Sequence, residues 1–265
     1  MDRCGGFAFL YDMSSLTRML SVLDLFTQDR ATWSAEEVAQ QLDCSIPTAY
    51  RYLRELTEAQ LLRAASTGRY ALGNRIVELD YQLRSGDPLI QASAGPMKDL
   101  AQQVDCDVAL VMLSGDHVLT IQYESHGVQM RASYGRGRRM PTFKGAMSLA
   151  VLSSLSKPRL RKLMQKNAAE LDGSATNDAL ETLSQTLKLV RKQGYATSLG
   201  ALDPHNAGIA IALEVPDQSI YAGLGLVMSS ERFRLLETEK AAEWLKQCSK
   251  QICHRLEIPP ARYIA

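Results

Sequence analysis

The sequence predicts an α+β protein of two domains, a smaller helical one with a β-hairpin followed by a larger one built on antiparallel strands. Three observations predict this class. The chain has 265 residues, and at roughly 100–200 residues per domain two domains are expected. Apolar residues recur at helical spacing near the N-terminus, up to a Ser/Thr/Gly turn between two short strand-like runs. Farther along, paired β-rich runs alternate with helical segments, as in an antiparallel sheet with segregated helices.

Composition narrows the class of protein. Apolar residues make up 46% of the chain and charged residues 22%, which is ordinary for a soluble globular protein. No run of about 18 apolar residues offers a membrane span, and Met1–Tyr11 lacks the apolar core and cleavage site of a signal peptide. The five scattered cysteines contain no C-x-x-C pair, which argues against a disulfide framework and a zinc site. We therefore expect a cytoplasmic protein without a membrane partner, a metal or a cofactor.

The first domain is predicted over residues 14–73. We interpret residues 1–13 as a leader, either disordered or an artefact of start-site choice. Ser14–Gln28 shows the i, i+3, i+4, i+7 apolar spacing of an amphipathic helix. Ser34 begins a second helix, with Glu37 at the spacing of a capping box. Val38 and Leu42 form the predicted inner face of that helix.

A third helix is predicted from Ser45 to about Gln60. Ser45 suits the N-cap, and Pro47 is tolerated because first-turn amides have no helical acceptor to lose. At 100° per residue the apolar side chains fall on one side, namely Ile46, Ala49, Leu53 and Leu56. The other side displays Pro47, Thr48, Tyr50, Arg51 and Arg54. Tyr50 fits groove contact and packing within its own domain equally well.

Two short strands around Ser66-Thr67-Gly68 predict a β-hairpin after the third helix. Three helices and a hairpin describe a winged helix-turn-helix, which places its third helix in the DNA major groove. Arginines and small polar side chains contact phosphates and base edges there. The predicted DNA contacts are Ser45, Pro47, Thr48, Tyr50, Arg51 and Arg54 in the helix and Thr67 and Arg69 in the wing.

A linker helix is predicted over residues 74–87, ending at Ser85-Gly86-Asp87-Pro88, and the second domain over residues 88–265. Strand pairs are predicted at Asp107–Leu113 with His117–Tyr123 and at Gly208–Val215 with Ile220–Met228. Gln129–Tyr134 is a further predicted strand. The predicted helices are Leu89–Val104, Ala146–Ser153, Lys157–Lys166, Asn177–Gln193 and one long helix, Ser229–Leu256.

Two stretches carry a resemblance to a known family. They read S-I-P-T-A-Y-R-Y-L-R-E-L from Ser45 and G-R-Y-A-L-G from Gly68. With the order of elements around them, the sequence resembles the IclR (isocitrate lyase regulator) family of bacterial transcription regulators over about Ser14–Leu256. The resemblance implies a GAF-like antiparallel-sheet effector-binding domain and a homodimer or a dimer of dimers.

The resemblance also implies an effector site in the second domain. The family loop P-x-H-A-x-A-x-G-K-A reads P-T-F-K-G-A-M-S-L-A here, from Pro141 to Ala150. Amides at a helix start favour an anion, which makes Gly145, Ala146 and Met147 candidates. The family's polar effector contacts align with Ser198, Gly208, Gly225 and Val227. Three of those four lack a polar side chain, so we expect a less polar pocket and an aromatic or otherwise bulkier organic acid.

Two other function classes are open to this pattern. An enzyme would need a nucleophile, a base and an orienting group within reach of one another. Ser198 near Asp203-Pro204-His205 suggests that chemistry, yet no G-x-S-x-G or H-E-x-x-H motif is present, so no enzyme is predicted. The other class is a GAF-like sensory module that acts through a protein partner. The predicted function is a regulator that reads a roughly palindromic operator and whose DNA affinity is changed by a small organic acid.

Overall fold

The computed structural model describes residues 14–125, 135–171, 177–213, 215 and 220–257. Two units divide the chain between Gly86 and Asp87. The leader (residues 1–13) and the predicted strand Gln129–Tyr134 lie outside the described residues.

The first unit is a helix-turn-helix with a small sheet. Its elements are α1 (Ser15–Leu20), β1 (Trp33–Ser34), α2 (Ala35–Gln41), α3 (Ile46–Glu58), β2 (Leu62–Ser66), β3 (Arg69–Leu72) and α4 (Arg75–Gly86). The three strands are antiparallel in the order β1-β3-β2. The second and third predicted helices and the hairpin are confirmed, and β1 is added to them. The sequence could not predict β1, because two residues show no alternation of apolar and polar side chains. Only the pairing with β3 defines this strand.

Side-chain caps start the helices of the first unit where the sequence predicts them. Ser34 Oγ accepts the Glu37 amide at 3.3 Å, and Glu37 Oε2 accepts the Ser34 amide at 2.8 Å, which completes the capping box. Ser45 Oγ accepts the Thr48 amide at 3.3 Å at the start of α3. Val38 and Leu42 are fully buried, as predicted. These caps fix where α2 and α3 begin.

Two predictions about the first unit are wrong. The helix predicted over Ser14–Gln28 ends at Leu20 and continues as a 3-10 helix, Ser21–Leu25. The tighter winding turns Val22 and Leu25 into the core and leaves Leu16 70% exposed. On α3, Ile46 is 46% exposed and Tyr52 is buried instead. Ile46 is the first residue of the helix, so it lies at the rim of the packed face.

The second unit is a six-stranded antiparallel sheet with helices on both faces. Its helices are α5 (Pro88–Val104), α6 (Ala146–Ser153), α7 (Lys157–Lys166), α8 (Asn177–Gln193), α9 (Ser230–Arg234) and α10 (Thr238–Glu257). Its strands are β4 (Asp107–Ser114), β5 (His117–Glu124), β6 (Arg139–Met140), β7 (Ala196–Leu199), β8 (Asn206–Leu213) and β9 (Ala222–Ser229), in the order β6-β5-β4-β9-β8-β7. The predicted α+β class is confirmed. The single helix predicted over Ser229–Leu256 is two helices, α9 and α10, because the helical backbone is interrupted between Arg234 and Thr238.

The two faces of this sheet carry separate apolar clusters. Leu224, Leu226 and Ile209 point to the face covered by α5 and α10. Alternate residues such as Val227 and Ala210 point to the opposite face, where α6 packs. We call this second face the α6 face. The α6 face carries the predicted effector residues of β8 and β9.

The helix α4 leaves apolar side chains in solvent. Tyr81 is 72% exposed, Val77 71% and Leu83 53%. None of the described residues of α4 is buried. A helix with this much exposed apolar surface is typical of an interaction face.

Candidate DNA-binding surface and effector site

The outward side of α3 is the candidate DNA-binding surface. Ala49, Tyr52, Leu53 and Leu56 are buried and hold the helix in the unit. Opposite them, the side chains of the predicted DNA contacts on α3 lie at the surface, with Thr48 half-buried and Ser45, Pro47, Tyr50, Arg51 and Arg54 exposed. The structure thus presents five predicted residues on the accessible side of α3, and Ser45 is exposed as its N-cap.

The polar groups of this surface are held by acidic neighbours. Arg54 lies 3.1 Å from Glu55 and 3.7 Å from Glu58. The Tyr50 hydroxyl donates to Glu36 Oε1 at 3.3 Å, and the Glu36 carboxylate raises the pKa of Tyr50. Exposed pairs of this kind contribute little stability. A DNA phosphate can therefore replace them at low cost.

The two predicted wing residues differ in their surroundings. Thr67 is exposed in the turn between β2 and β3. Arg69 is half-buried, and its guanidinium donates to Thr32 Oγ1 at 3.0 Å, to the Thr32 carbonyl at 2.9 Å and to Glu37 Oε2 at 3.2 Å. These contacts tie the wing to α2. The guanidinium must leave them to reach a DNA backbone, so its role as a DNA contact stays a prediction.

Six of the seven predicted effector residues line one cavity on the α6 face. They are Gly145, Ala146, Met147, Ser198, Gly208 and Val227, joined by Met140, Leu202 and Ala207. The cavity measures only about 10 Å³, which is the size of a single water site. The seventh residue, Gly225, lies beneath Met147, whose Cε is 2.8 Å from where a Cβ at Gly225 would be. The methionine side chain therefore occupies space over the sheet.

Leu202 lies between this cavity and a larger cleft outside it. Its Cδ1 is 3.2 Å from where a Cβ at Gly145 would be. The outer cleft, of about 490 Å³, shares Met140 and Leu202 with the cavity and adds Arg139, Lys144 and Glu170 to its walls. Sequence reasoning missed Leu202, because a leucine in a loop carries no signal of its own.

The loop before α6 is held by polar contacts. Thr142 is buried and donates to Glu170 through its amide at 2.8 Å and its hydroxyl at 3.0 Å. Ser148 Oγ donates to the Pro141 carbonyl at 2.7 Å. Gly145 is the N-cap of α6, with φ of 86° and no side-chain cap, a backbone conformation that favours glycine. The first amides of α6 have no helical acceptor, so they can donate to an anion.

A buried acidic residue of the α6 face was also missed. Asp107 is 3% exposed and begins β4. Its carboxylate accepts hydrogen bonds from the Tyr123 hydroxyl and, at 2.7 Å, from Ser125 Oγ. The signal was a charged residue at the start of an otherwise apolar strand.

Comparison with known proteins identifies the family of the chain. The family model described as bacterial transcriptional regulator IclR C-terminal matches residues 83–254. The chain belongs to the IclR family. A second model, the IclR helix-turn-helix domain, matches residues 15–66. The predicted resemblance is confirmed by both models.

Relatives of the IclR family align with almost the whole chain. The HTH-type transcriptional regulator KipR of Bacillus subtilis is 23% identical over 244 residues, which cover 91% of this chain and 96% of KipR. The HTH-type transcriptional regulator XynR of Escherichia coli is 22% identical over 249 residues, 93% of this chain and 98% of XynR. Both are transcription regulators rather than enzymes, in agreement with the sequence prediction.

Solved IclR structures share the fold. The IclR transcriptional regulator from Alicyclobacillus acidocaldarius superposes with a TM-score of 0.75 at 20% identity, over 93% of this chain and all of that one. An IclR homolog from Microbacterium hydrocarbonoxydans, complexed with 4-hydroxybenzoate, gives a TM-score of 0.73 at 23% identity, over 92% and 99% of the two chains.

The chain is therefore a transcription regulator of the IclR family, with a helix-turn-helix DNA-binding domain and a C-terminal effector-binding domain. Among the described residues, no helix has the length and apolar character to cross a membrane.

Proposed function

We propose that this IclR-family regulator acts in the cytoplasm as a homodimer, or a dimer of dimers, on a roughly palindromic operator. Residues 14–73 bind DNA, the linker helix of residues 74–87 transmits the signal, and residues 88–265 bind an organic-acid effector. Two α3 helices enter successive major grooves. The proposed contacts are Ser45, Pro47, Thr48, Tyr50, Arg51, Arg54, Thr67 and Arg69.

The accessible side of α3 is the observation that carries this proposal. Arg51 and Arg54 project from a helix whose opposite side is buried at Ala49, Tyr52, Leu53 and Leu56. Arginine forms bidentate bonds with guanine and strong bonds with phosphate. Thr48 and Tyr50 add polar contacts near the start of the helix.

The exposed apolar side chains of the first unit support pairing of two copies. Leu16 and Leu20 of α1 are 70% and 51% exposed, and Val77 and Tyr81 of α4 are 71% and 72% exposed. A second copy of the same chain can cover these side chains about a twofold axis. A twofold protein then matches a palindromic site.

The effector we propose is an aromatic or otherwise bulky organic acid. The carboxylate binds the free amides at the start of α6, at Gly145, Ala146 and Met147. The other proposed contacts are Ser198, Gly208, Gly225 and Val227. The neighbour complexed with 4-hydroxybenzoate supports an aromatic acid. Differential binding of the acid to two arrangements of the regulator changes DNA affinity, and about 1–3 kcal/mol of coupling suffices.

Fluorescence anisotropy on the DNA upstream of the regulator's own gene tests the proposal. The unaltered protein should bind that DNA more tightly than a scrambled duplex, and the binding should weaken with salt. Arg51→Ala should lose most of this affinity. Arg161→Ala, which removes an exposed arginine from α7, serves as the matched control and should bind normally. Equal binding to both duplexes, unchanged by Arg51→Ala, would exclude α3 as the reading helix.

A further inference from the structure

The α6 face carries a buried carboxylate that the proposed effector contacts do not include. Asp107 is 3% exposed. It accepts hydrogen bonds from the Tyr123 hydroxyl and from Ser125 Oγ. A buried carboxylate normally requires partners that compensate its lost hydration.

The register of the sheet places Asp107 in one row with three proposed effector contacts. Asp107 pairs with Val227, Val227 with Gly208, and Gly208 with Ser198. Directly paired residues of antiparallel strands project from the same face. Val227 belongs to the apolar cluster of the α6 face, together with Met147. The Asp107 side chain therefore projects from the face on which the effector site lies.

The described residues use only half of the hydrogen-bonding capacity of this carboxylate. Two oxygens offer about four acceptor sites, and described residues occupy two of them. Within the part of the chain that the structure describes, no lysine, arginine or histidine pairs with Asp107. The negative charge is therefore held by two neutral hydroxyl groups, and it can accept a further donor.

A second polar atom lies unused on the same face. Thr120 is 1% exposed, and its Oγ1 has no hydrogen-bond partner among the described residues. Thr120 pairs with Val111, which belongs to the α6-face cluster. Val111 lies four residues along β4 from Asp107, about 13 Å at the rise of a strand, so Thr120 is outside the row of Asp107 and the proposal does not depend on it.

We propose that the effector carries a hydrogen-bond donor, a hydroxyl or an amino group, at the end remote from its carboxylate, and that Asp107 accepts this donor. The inference rests on the proposed function, in which the carboxylate binds at the start of α6. Ala146 lies over Gly208, two strands away from Asp107 in the same row. Two strand spacings, from Gly208 to Asp107, are about 10 Å. The Asp107 side chain takes up part of this distance, and one aromatic ring with a para substituent spans the rest.

The cavity must open for this ligand. Met147 now lies against Gly225, in the row next to that of Asp107 and Val227. Methionine has three rotatable bonds and repacks readily. Its movement clears space beside Val227, which lies between Gly208 and Asp107 in the row.

Calorimetry with three acids tests the inference on the full-length protein. The acids are benzoate, which has no donor, 4-hydroxybenzoate and 4-(aminomethyl)benzoate. The two acids with a donor should bind at least about tenfold more tightly than benzoate, because a hydrogen bond to a charged group is strong. In Asp107→Asn this preference should fall below about threefold, with benzoate affinity retained. Asp99→Asn, which removes an exposed carboxylate from α5 on the opposite face of the sheet, is the matched control and should keep the preference.

The outcomes separate this inference from the proposed function. Equal affinity for all three acids in the unaltered protein would overturn the role of Asp107 and leave acid binding intact. Equal weakening of all three acids by Asp107→Asn would show a structural role only and also overturn the inference. If none of the three acids binds, the proposed aromatic-acid effector fails, and the inference fails with it. The comparison on the unaltered protein stands even where the asparagine variant does not fold.

Discussion

Arg69 of the wing and Glu37 of α2 form an ion pair, with Nη2 and Oε2 3.2 Å apart. The same carboxylate oxygen accepts the Ser34 amide at 2.8 Å and so completes the capping box of α2. Arg30 lies 2.6 Å from the other oxygen. One glutamate therefore links the start of α2 to the wing.

Glu37→Gln should reduce the loss of stability in acid. The Ser34 amide, together with Arg30 and Arg69, holds the pKa of Glu37 below its ordinary value. A lowered pKa contributes stability that is present above the unfolded pKa and is lost as pH falls through the folded value. Urea unfolding at pH 7 and pH 3.5 measures this loss. Glu37→Gln should lose less unfolding free energy between these two pH values than the unaltered protein. Glu55→Gln on α3 should lose as much as the unaltered protein. Identical losses in all three proteins would contradict the link.

Tyr81→Glu and Val77→Glu should separate the proposed dimer. Each places a charge on the exposed apolar side of α4, which a second copy is expected to cover. Sedimentation at micromolar concentration should show a monomer, and operator affinity should fall at least tenfold because only one half-site is then held. Leu235→Glu is the control, since Leu235 is 87% exposed and lies in the second unit. A monomeric unaltered protein, or dimeric variants, would exclude this face.

Met147→Ala should allow the effector site to accept larger ligands. Truncating a buried methionine costs about 2–5 kcal/mol of unfolding free energy, and it removes the side chain that lies over Gly225. Calorimetry should show that 2-naphthoate gains at least tenfold in affinity relative to benzoate. Met97→Ala is the matched control, because Met97 is fully buried on the opposite face of the sheet. It should lose similar stability without changing the preference. An equal change of this relative affinity in both variants would show that Met147 does not limit the size of the ligand.

Cys248 should make the fold less stable in alkali. Burial raises the pKa of its thiol to about 12, with Asp99 adding to the effect and Arg255 opposing it. A raised pKa contributes stability that is present below the unfolded pKa and is lost as pH rises toward the folded value. The unfolding free energy should therefore fall by about 1–2 kcal/mol from this group between pH 8 and pH 10. Cys248→Ala should remove that part of the slope, and Ser249→Ala on the same helix, which removes no titrating group, should not. Equal slopes in the two variants would contradict the assignment.

Local signals predicted many elements of the fold. The bounds of α6, α7 and α8 agree with the sequence prediction, because apolar spacing, Pro158 and Gly194 mark those helices. Strand β7 escaped prediction, since A-T-S-L becomes a strand only by pairing with β8. The break before α10 escaped for a related reason, because apolar spacing continues through Leu235 and Leu236.

The DNA-binding surface and the effector site also differ in how much of each could be predicted from local sequence signals. The accessible side of α3 followed from helical periodicity alone. The effector residues came from the family resemblance, and the structure brings six of them to one cavity. Asp107 could not be placed among them from the sequence, because its row depends on the register of four strands. Arg69 also looked free in the sequence, since its partners Thr32 and Glu37 are more than thirty residues away.

Binding of an organic acid and binding of DNA are expected to be coupled on this regulator. The most direct measurement is the dissociation constant of the operator with and without a saturating bound acid, together with that of the acid with and without the operator. Both constants should change by one common factor, about 5- to 150-fold for a coupling of 1–3 kcal/mol. An acid that binds tightly and leaves operator affinity unchanged would exclude this coupling.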